Sequence, residues 1–381
     1  VAQVVRLIQN QLNLESAGRA LENFPDRLAD TLVIAEELTP GELAILQERG
    51  VAGIVTEHGG PNSHTAILAS SLGIPAVLGV NHAQSLLREG ETLVLDGSMG
   101  LVFAEPGADI REHYRHVQRD TELFRQSLEA VRDLPARCLD GVPVSLQANA
   151  ERVEDLQQAL DLGARGIGLY RTEFLYLRSS PPDEETQLAE YRSAIRMLKG
   201  IPVTIRTLDL GADKAISAAD SSQIRRSTNP ALGLRAIRLC LRDTELFKVQ
   251  LRAILRASAS GPVRCLIPMV TSLHEVRMVR VLFDEARDEL ERRSQPYDSQ
   301  MPLGGMIEVP AAALAIADLG GYLDFLSIGT NDLLQYALAA DRGDEQVAHL
   351  YELEHPGVVR LLRLILRDAG KLSLPVAVCG E

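Results

Sequence analysis

Beyond Pro135 the chain keeps to one rhythm: a short run rich in Val, Ile and Leu, then a longer amphipathic stretch, then another short run. The runs are PVSLQA (143–148), GIGLY (166–170), VTIRTL (203–208), RCLIPMV (264–270), GGMIEV (304–309), DFLSIG (324–329) and PVAVCG (375–380). Strands separated by helices return in the same direction, so the pattern predicts parallel βαβ units. Seven such units in one segment fit a (β/α)8 TIM barrel that lacks its last unit in this chain.

The first third of the chain reads differently. Residues 1–15, VAQVVRLIQNQLNLE, have the pattern of a helix that ends an upstream domain. DTLVIAEELTPGELAILQERGVAGIV then reads as strand, helix, strand. Thr39 suits the helix N-cap, Pro40 the first helical position, and Glu42 completes a capping box. SHTAILASSLG is a second helix closed by Gly73, PAVLGV another strand, and ETLVLDGSMGLVFAEP a hairpin. Together these predict a small α/β domain. From Ile110 to Val131 apolar residues recur at alternating spacings of four and three, with Thr121 in the seam, which predicts one long linking helix.

Composition narrows the chemistry. A formal charge of −13 over 381 residues argues against a nucleic-acid binder or a basic membrane-surface protein. Any anionic substrate must then be drawn by a local cluster of arginines. No apolar run is long enough to span a bilayer, so no membrane insertion is expected. Cys138, Cys240, Cys265 and Cys379 form no pairing pattern, which fits a reducing, cytoplasmic setting.

A barrel places its reactive groups after the C-terminal ends of its strands. Arg171 and Glu173 follow the second run, Arg206 and Asp209 the third, Glu308 the fifth, Asn331 and Asp332 the sixth, and Cys379 the seventh. Only RCLIPMV ends without a charged group. Glu308 and Asp332, on adjacent strands, suit Mg2+, which takes one or two carboxylates and fills its octahedron with water and substrate oxygens. Arg171, Arg206, Arg235 and Arg342 offer planar donors for a phosphate and a carboxylate. A thiol at Cys379 suits proton delivery to an enolate. In the first domain, His64 opens a helix behind Gly59 and Gly60; its residues fit either a neutral capping histidine or a negative, phosphorylated imidazole, which the free N–H groups there favour. Ser63 and Thr65 add hydroxyl donors.

GGPNSHTAILASSLGIPAVLG resembles the phosphohistidine signature of enzyme I of the bacterial phosphoenolpyruvate-dependent phosphotransferase system. GIGLYRTEFLY, IRTLDLGADK, NPALGLRAIRL, SIGTNDLLQYALAADRG and VCGE resemble that family's phosphoenolpyruvate-binding barrel, in matching order. The resemblance implies His64 as the phosphorylated nucleophile, Glu308 and Asp332 as Mg2+ ligands, and Arg171, Arg206, Arg235, Asn331 and Arg342 as phosphoenolpyruvate contacts. It makes Cys379 the acid that protonates the enolate, and leaves Lys214 without a role. It also implies a domain plan: 1–20 as the remnant of a helical acceptor-binding domain, 21–105 as a phosphohistidine swivelling domain, 106–135 as a helical linker and 136–381 as the incomplete barrel. The expected partners are phosphoenolpyruvate, a histidine phosphocarrier protein and a second copy bound through the barrel. The rival readings are a pyruvate-phosphate dikinase, a phosphoenolpyruvate synthase or a non-catalytic signalling relative.

Overall fold

Parallel strands dominate both halves of the chain. The computed structural model describes residues 4–7, 27–60, 64–176, 180–211, 229–341 and 347–380. These fall into two compact units, Val1–Val131 and Arg132–Glu381.

In the first unit β1 (Val4–Leu7), β2 (Thr31–Ala35), β3 (Gly53–Thr56) and β4 (Ala76–Val77) form a parallel sheet in that order. Residues 4–7 therefore correct the helix expected over 1–15. They pair with β2 from Val4 opposite Thr31 to Leu7 opposite Ile34. The β-branched Val4 and Val5 favour extended backbone, and neighbouring strand edge supplies the hydrogen bonds. The remainder of that stretch lies outside the described residues. Helix α1 (Pro40–Glu48) carries the expected capping box: Thr39 Oγ1 accepts from the Glu42 N–H at 3.4 Å, and the Glu42 carboxylate accepts from the Thr39 N–H at 2.8 Å. Helix α2 (His64–Ser71), the short α3 (Ala83–Leu86) and an antiparallel hairpin of β5 (Leu93–Asp96) and β6 (Leu101–Ala104) follow. The long helix α4 (Ala108–Val131) begins against this hairpin. Its Tyr114 hydroxyl donates to Asp96 at 3.0 Å, and its ring lies 5.7 Å from that of Phe103.

The second unit is a single parallel sheet of seven strands, covered by helices in the order the sequence predicts. Its elements are β7 (Ala148–Ala150), α5 (Val153–Asp161), β8 (Ile167–Tyr170), α6 (Glu184–Leu198), β9 (Val203–Arg206), α7 (Ala236–Arg242), α8 (Thr244–Ser258), β10 (Val263–Ile267), α9 (Leu273–Arg292), β11 (Leu303–Ile307), α10 (Pro310–Leu314), α11 (Ile316–Leu319), β12 (Phe325–Gly329), α12 (Thr330–Leu338), α13 (Pro356–Lys371) and β13 (Val376–Cys379). The strands lie side by side in sequence order from β7 to β13. Residues from near both edges, Asn149 and Cys379, line one cavity, so the sheet is curled. The first strand is displaced from the expected PVSLQA to residues 148–150. Pro143 has no N–H to give a ladder, and Val142, Val144 and Leu146 remain exposed.

Alternation along the strands sorts the side chains. Ile167, Tyr170, Ile205, Ile267, Leu303, Ile307, Leu326 and Ile328 face the helices and build the main core. Leu169, Leu266, Met306 and Phe325 face inward and pack together, with Cys379 at their margin. Two residues beyond Leu169 and Met306 stand Arg171 and Glu308, so period-two geometry raises both above the same apolar floor. The floor needs a glycine: Gly304 pairs with Phe325 across the β11–β12 ladder, and a Cβ at 304 would lie 2.4 Å from the phenyl ring. Gly304→Ala forces the ring or the strand to shift. It is expected to cost about 1–3 kcal/mol, read as a lower midpoint for the urea unfolding of this unit.

Candidate active site

The cavity above this floor has a volume of about 310 Å3, within the range of small-ligand sites. Arg171, Arg206, Arg235, Glu308, Asn331, Asp332 and Cys379 all line it. Seven of the nine expected site residues are therefore gathered around one cavity, Arg235 from the start of α7 and the other six from the segments that follow strands or from strand ends. Arg342 lies outside the described residues, as do Ser63 and Lys214. His64 belongs to the other unit, as the first residue of α2, and its side chain is not among those described. The Thr65 hydroxyl, expected as a donor beside it, instead donates to the Leu38 carbonyl at 3.2 Å.

The arginines are held by carboxylates. Arg206, at the end of β9, reaches Glu173 at 2.9 Å and Asp209 at 3.1 Å. Arg235, just before α7, donates to the same Asp209 carboxylate at 2.8 and 3.2 Å and lies 3.4 Å from Asp332. Arg171 pairs with Glu151 at 2.8 Å. Burial opposes the charge on Arg206, but Glu173, Asp209 and Glu308 outweigh it and raise its pKa further. Arg171 and Arg206 each keep a buried Nε–H with no partner among the described residues. Such donors suit an anionic ligand, because an unpaired buried N–H is otherwise costly.

Glu308 is almost wholly buried. Gly329, on the neighbouring strand, leaves space for it, since a Cβ there would lie 2.8 Å from the carboxylate. Burial, then Asp209 and Asp332, push the Glu308 pKa up, while Arg206 and the Met269 N–H, which donates to it at 2.5 Å, pull it down. Carboxylate oxygens of Asp209, Glu308 and Asp332 lie within 4.8 Å of one another. An oxygen-only donor set of this kind fits a hard divalent cation, which would relieve the crowding that raises Glu308. Asp209 faces two guanidinium groups, Asp332 one, and Glu308 lies beside none at ion-pair distance among the described residues. Two non-glycine residues beside the site adopt left-handed backbone, Ala236 at φ 49° after Arg235 and Met269 at φ 56°. Such strain persists where surrounding contacts require it. At 269 the contact is the N–H bonded to Glu308.

The sequence reading placed Glu173 and Asp209 at strand ends but gave them no role. It missed Glu151, because the first strand was expected to end before residue 149. It also missed β10's contribution, which is a backbone N–H rather than a side chain. Among the cysteines, Cys240 and Cys265 are buried in the main core. Cys379 Sγ lies 3.5 Å from the Ile328 carbonyl and 3.6 Å from Ser327 Oγ.

Burial raises the Cys379 pKa; Ser327, Arg206 and Arg171 oppose this rise, and Glu308 adds to it. A raised thiol pKa means a protonated sulfur throughout the neutral range, with thiolate appearing only in alkali. The rate of Cys379 alkylation by iodoacetamide, followed by peptide mass spectrometry, should still be climbing above pH 9. At pH 7 it should lag well behind that of exposed Cys138. A plateau below pH 8 would contradict this environment.

Two family models match the chain. Residues 28–100 match the PEP-utilising enzyme mobile domain, and residues 125–381 the PEP-utilising enzyme PEP-binding domain. The phosphoenolpyruvate-protein phosphotransferase of Cupriavidus necator is 46% identical over 352 residues, 92% of this chain and 60% of that protein. The Haemophilus influenzae protein of the same name is 37% identical over 99% of this chain and 65% of its own length. The Bacillus subtilis protein is 37% identical over 92% of this chain and 61% of its own. The chain thus spans 60–65% of the length of these relatives. With both domain models matched in sequence order, the chain belongs to the PEP-utilising enzymes.

Proposed function

We propose that the protein containing this chain takes the phosphoryl group of phosphoenolpyruvate onto His64, releases pyruvate, and passes the group to a histidine phosphocarrier protein. The observation that carries this reading is the cavity itself: three arginines, two carboxylates able to share a cation, and a protonated thiol converge above one apolar floor. The names of the relatives support the same reaction.

Phosphoenolpyruvate presents a phosphate and a carboxylate to planar guanidinium donors. Arg171, Arg206 and Arg235 bind and orient them, with Asn331 and Arg342 as the further contacts the family resemblance implies. Glu151, Glu173, Asp209, Glu308 and Asp332 outnumber those three arginines around the cavity. Among the described residues the lining thus holds more acidic than basic groups, and added positive charge would favour a strongly anionic substrate. Mg2+ held by Glu308 and Asp332 would supply that charge and neutralise substrate oxygens. As His64 Nε2 forms its bond to phosphorus, the P–O bond to the enol oxygen breaks and its electron pair stays on the enolate. Cys379 then gives its proton to the methylene carbon, which completes pyruvate, and the thiolate regains a proton from solvent.

The domain plan follows from this chemistry. Residues 21–105 form the phosphohistidine swivelling domain, 106–135 the linking helix and 136–381 the TIM-barrel domain. Strand Val4–Leu7, expected upstream, pairs with Thr31–Ile34 and joins the first of these, and two copies associate through the barrel in the cytoplasm. No specific observation favours an ATP-dependent dikinase or synthase.

The test mixes the full-length protein with phosphoenolpyruvate and Mg2+ and reads intact mass. One added phosphoryl group is expected on His64, lost in acid and absent in His64→Ala. Glu308→Gln and Asp332→Asn should each slow its appearance by at least tenfold. An unmodified wild-type protein would overturn the reading.

A further inference from the structure

Gln250 sits on the face of α8 that packs against the sheet, and is 1% exposed. A buried amide is costly unless its groups are bonded. Here the Oε1 atom accepts from the Leu208 N–H at 2.9 Å. The Nε2 group donates to Thr172 Oγ1 at 3.1 Å and to the Tyr191 hydroxyl at 3.3 Å. Thr172 Oγ1 in turn donates to the Arg206 carbonyl at 3.0 Å.

The amide has one workable orientation. Leu208 offers a backbone donor only, so it must meet the oxygen. Tyr191 spends its own proton on Gln187 Oε1 at 3.1 Å, which leaves it an acceptor for Gln250. Gln187 also accepts from Tyr176 at 3.3 Å and donates to the Pro182 carbonyl at 3.0 Å. A continuous buried network thus runs from residue 182 through Gln187, Tyr191 and Gln250 to the ends of two strands.

What Gln250 holds is specific. Thr172 lies between Arg171 and Glu173, the bonded carbonyl belongs to Arg206, and Leu208 precedes Asp209. Four residues of the cavity are therefore attached within one residue of this clamp. The two segments come from different strands, β8 and β9, whose ladder is irregular between Ile167 and Tyr170. Ladder bonds alone leave their ends less firmly tied.

We propose that Gln250 is a positioning residue for the phosphoenolpyruvate site. It fixes the ends of β8 and β9 so that Arg171 and Arg206 meet the substrate in one arrangement; this rests on the reaction proposed above. A displacement of about 1 Å at such groups can cost on the order of a hundredfold in rate.

The test uses the full-length protein and compares Gln250→Leu, Thr172→Val and Thr172→Ser with Ser258→Ala, which removes a buried hydroxyl that accepts from the Asp298 N–H at 2.9 Å outside this network. Rates of His64 phosphorylation are measured against phosphoenolpyruvate concentration at a temperature where every variant is folded. Hydrogen exchange is followed in peptides covering 171–176 and 205–210. Gln250→Leu and Thr172→Val should lose at least tenfold in kcat/KM and lose protection in both peptides. Thr172→Ser should stay within about twofold of wild type, and Ser258→Ala should melt at lower temperature with kcat/KM and protection of both peptides nearly unchanged. If Gln250→Leu does not fold, the shape-conserving Thr172→Val against Thr172→Ser decides. Equal kinetics and equal protection in the Gln250, Thr172 and Ser258 variants would overturn the inference. An inert wild-type protein would instead overturn the reaction, and the exchange comparison alone would then decide whether the clamp exists.

Discussion

One carboxylate shared by two guanidinium groups organises the second unit. Asp209 receives Arg206 from its own strand and Arg235 from the start of α7, with its side chain only 4% exposed. Burying a permanent cation is prohibitive without a partner, so neither arginine could occupy its place alone. Sharing the partner also fixes how far apart the two guanidinium planes lie. Glu173 braces the arrangement, since it accepts from both Arg206 and the Asp209 N–H. The apolar floor of Leu169, Leu266, Met306 and Phe325 lies beneath. Water is thereby kept from one side of the charges, and their mutual attraction is strengthened by the lower local polarity.

Much of this was legible because barrels obey a positional rule. Once strand–helix alternation is recognised, the residues following each strand become candidates, and Arg171, Arg206, Glu308, Asn331, Asp332 and Cys379 are read directly. The failures have physical causes. Pro143 and the valines around it look like a strand, yet ladder geometry begins only at Ala148, so Glu151 was hidden. Residues 4–7 have apolar spacing that also suits a helix, and pairing with Thr31–Ala35 decided for extended backbone. The Met269 N–H leaves no trace in sequence, because its role depends on a left-handed backbone that no side chain announces. Spacing alone also cannot say that Asp209 faces two arginines rather than a cation.

Charge explains why the cavity looks contradictory. An anion-binding site lined by more carboxylates than the arginines among the described residues gains from added positive charge. The excess has two separable parts. Glu151, Glu173 and Asp209 each pair with an arginine and serve to aim it. Asp332 shares Arg235 with Asp209, which leaves Glu308, and burial with crowding makes its full ionisation unfavourable until positive charge arrives. A cation and the anionic substrate then each make the other's binding favourable. In this reading the site selects for the pair, not for either ion alone.

Size completes the argument. A space of about 310 Å3 admits a small phosphorylated acid and one attacking side chain, but no protein surface. A cavity this small excludes a macromolecular acceptor. A histidine that must visit this cavity and later meet another protein cannot be a fixed part of its wall. Its location on a separate compact unit, at the first turn of α2, is what the proposed reaction requires of the chain. The backbone N–H groups at that helix start would stabilise the phosphorylated imidazole between the two encounters.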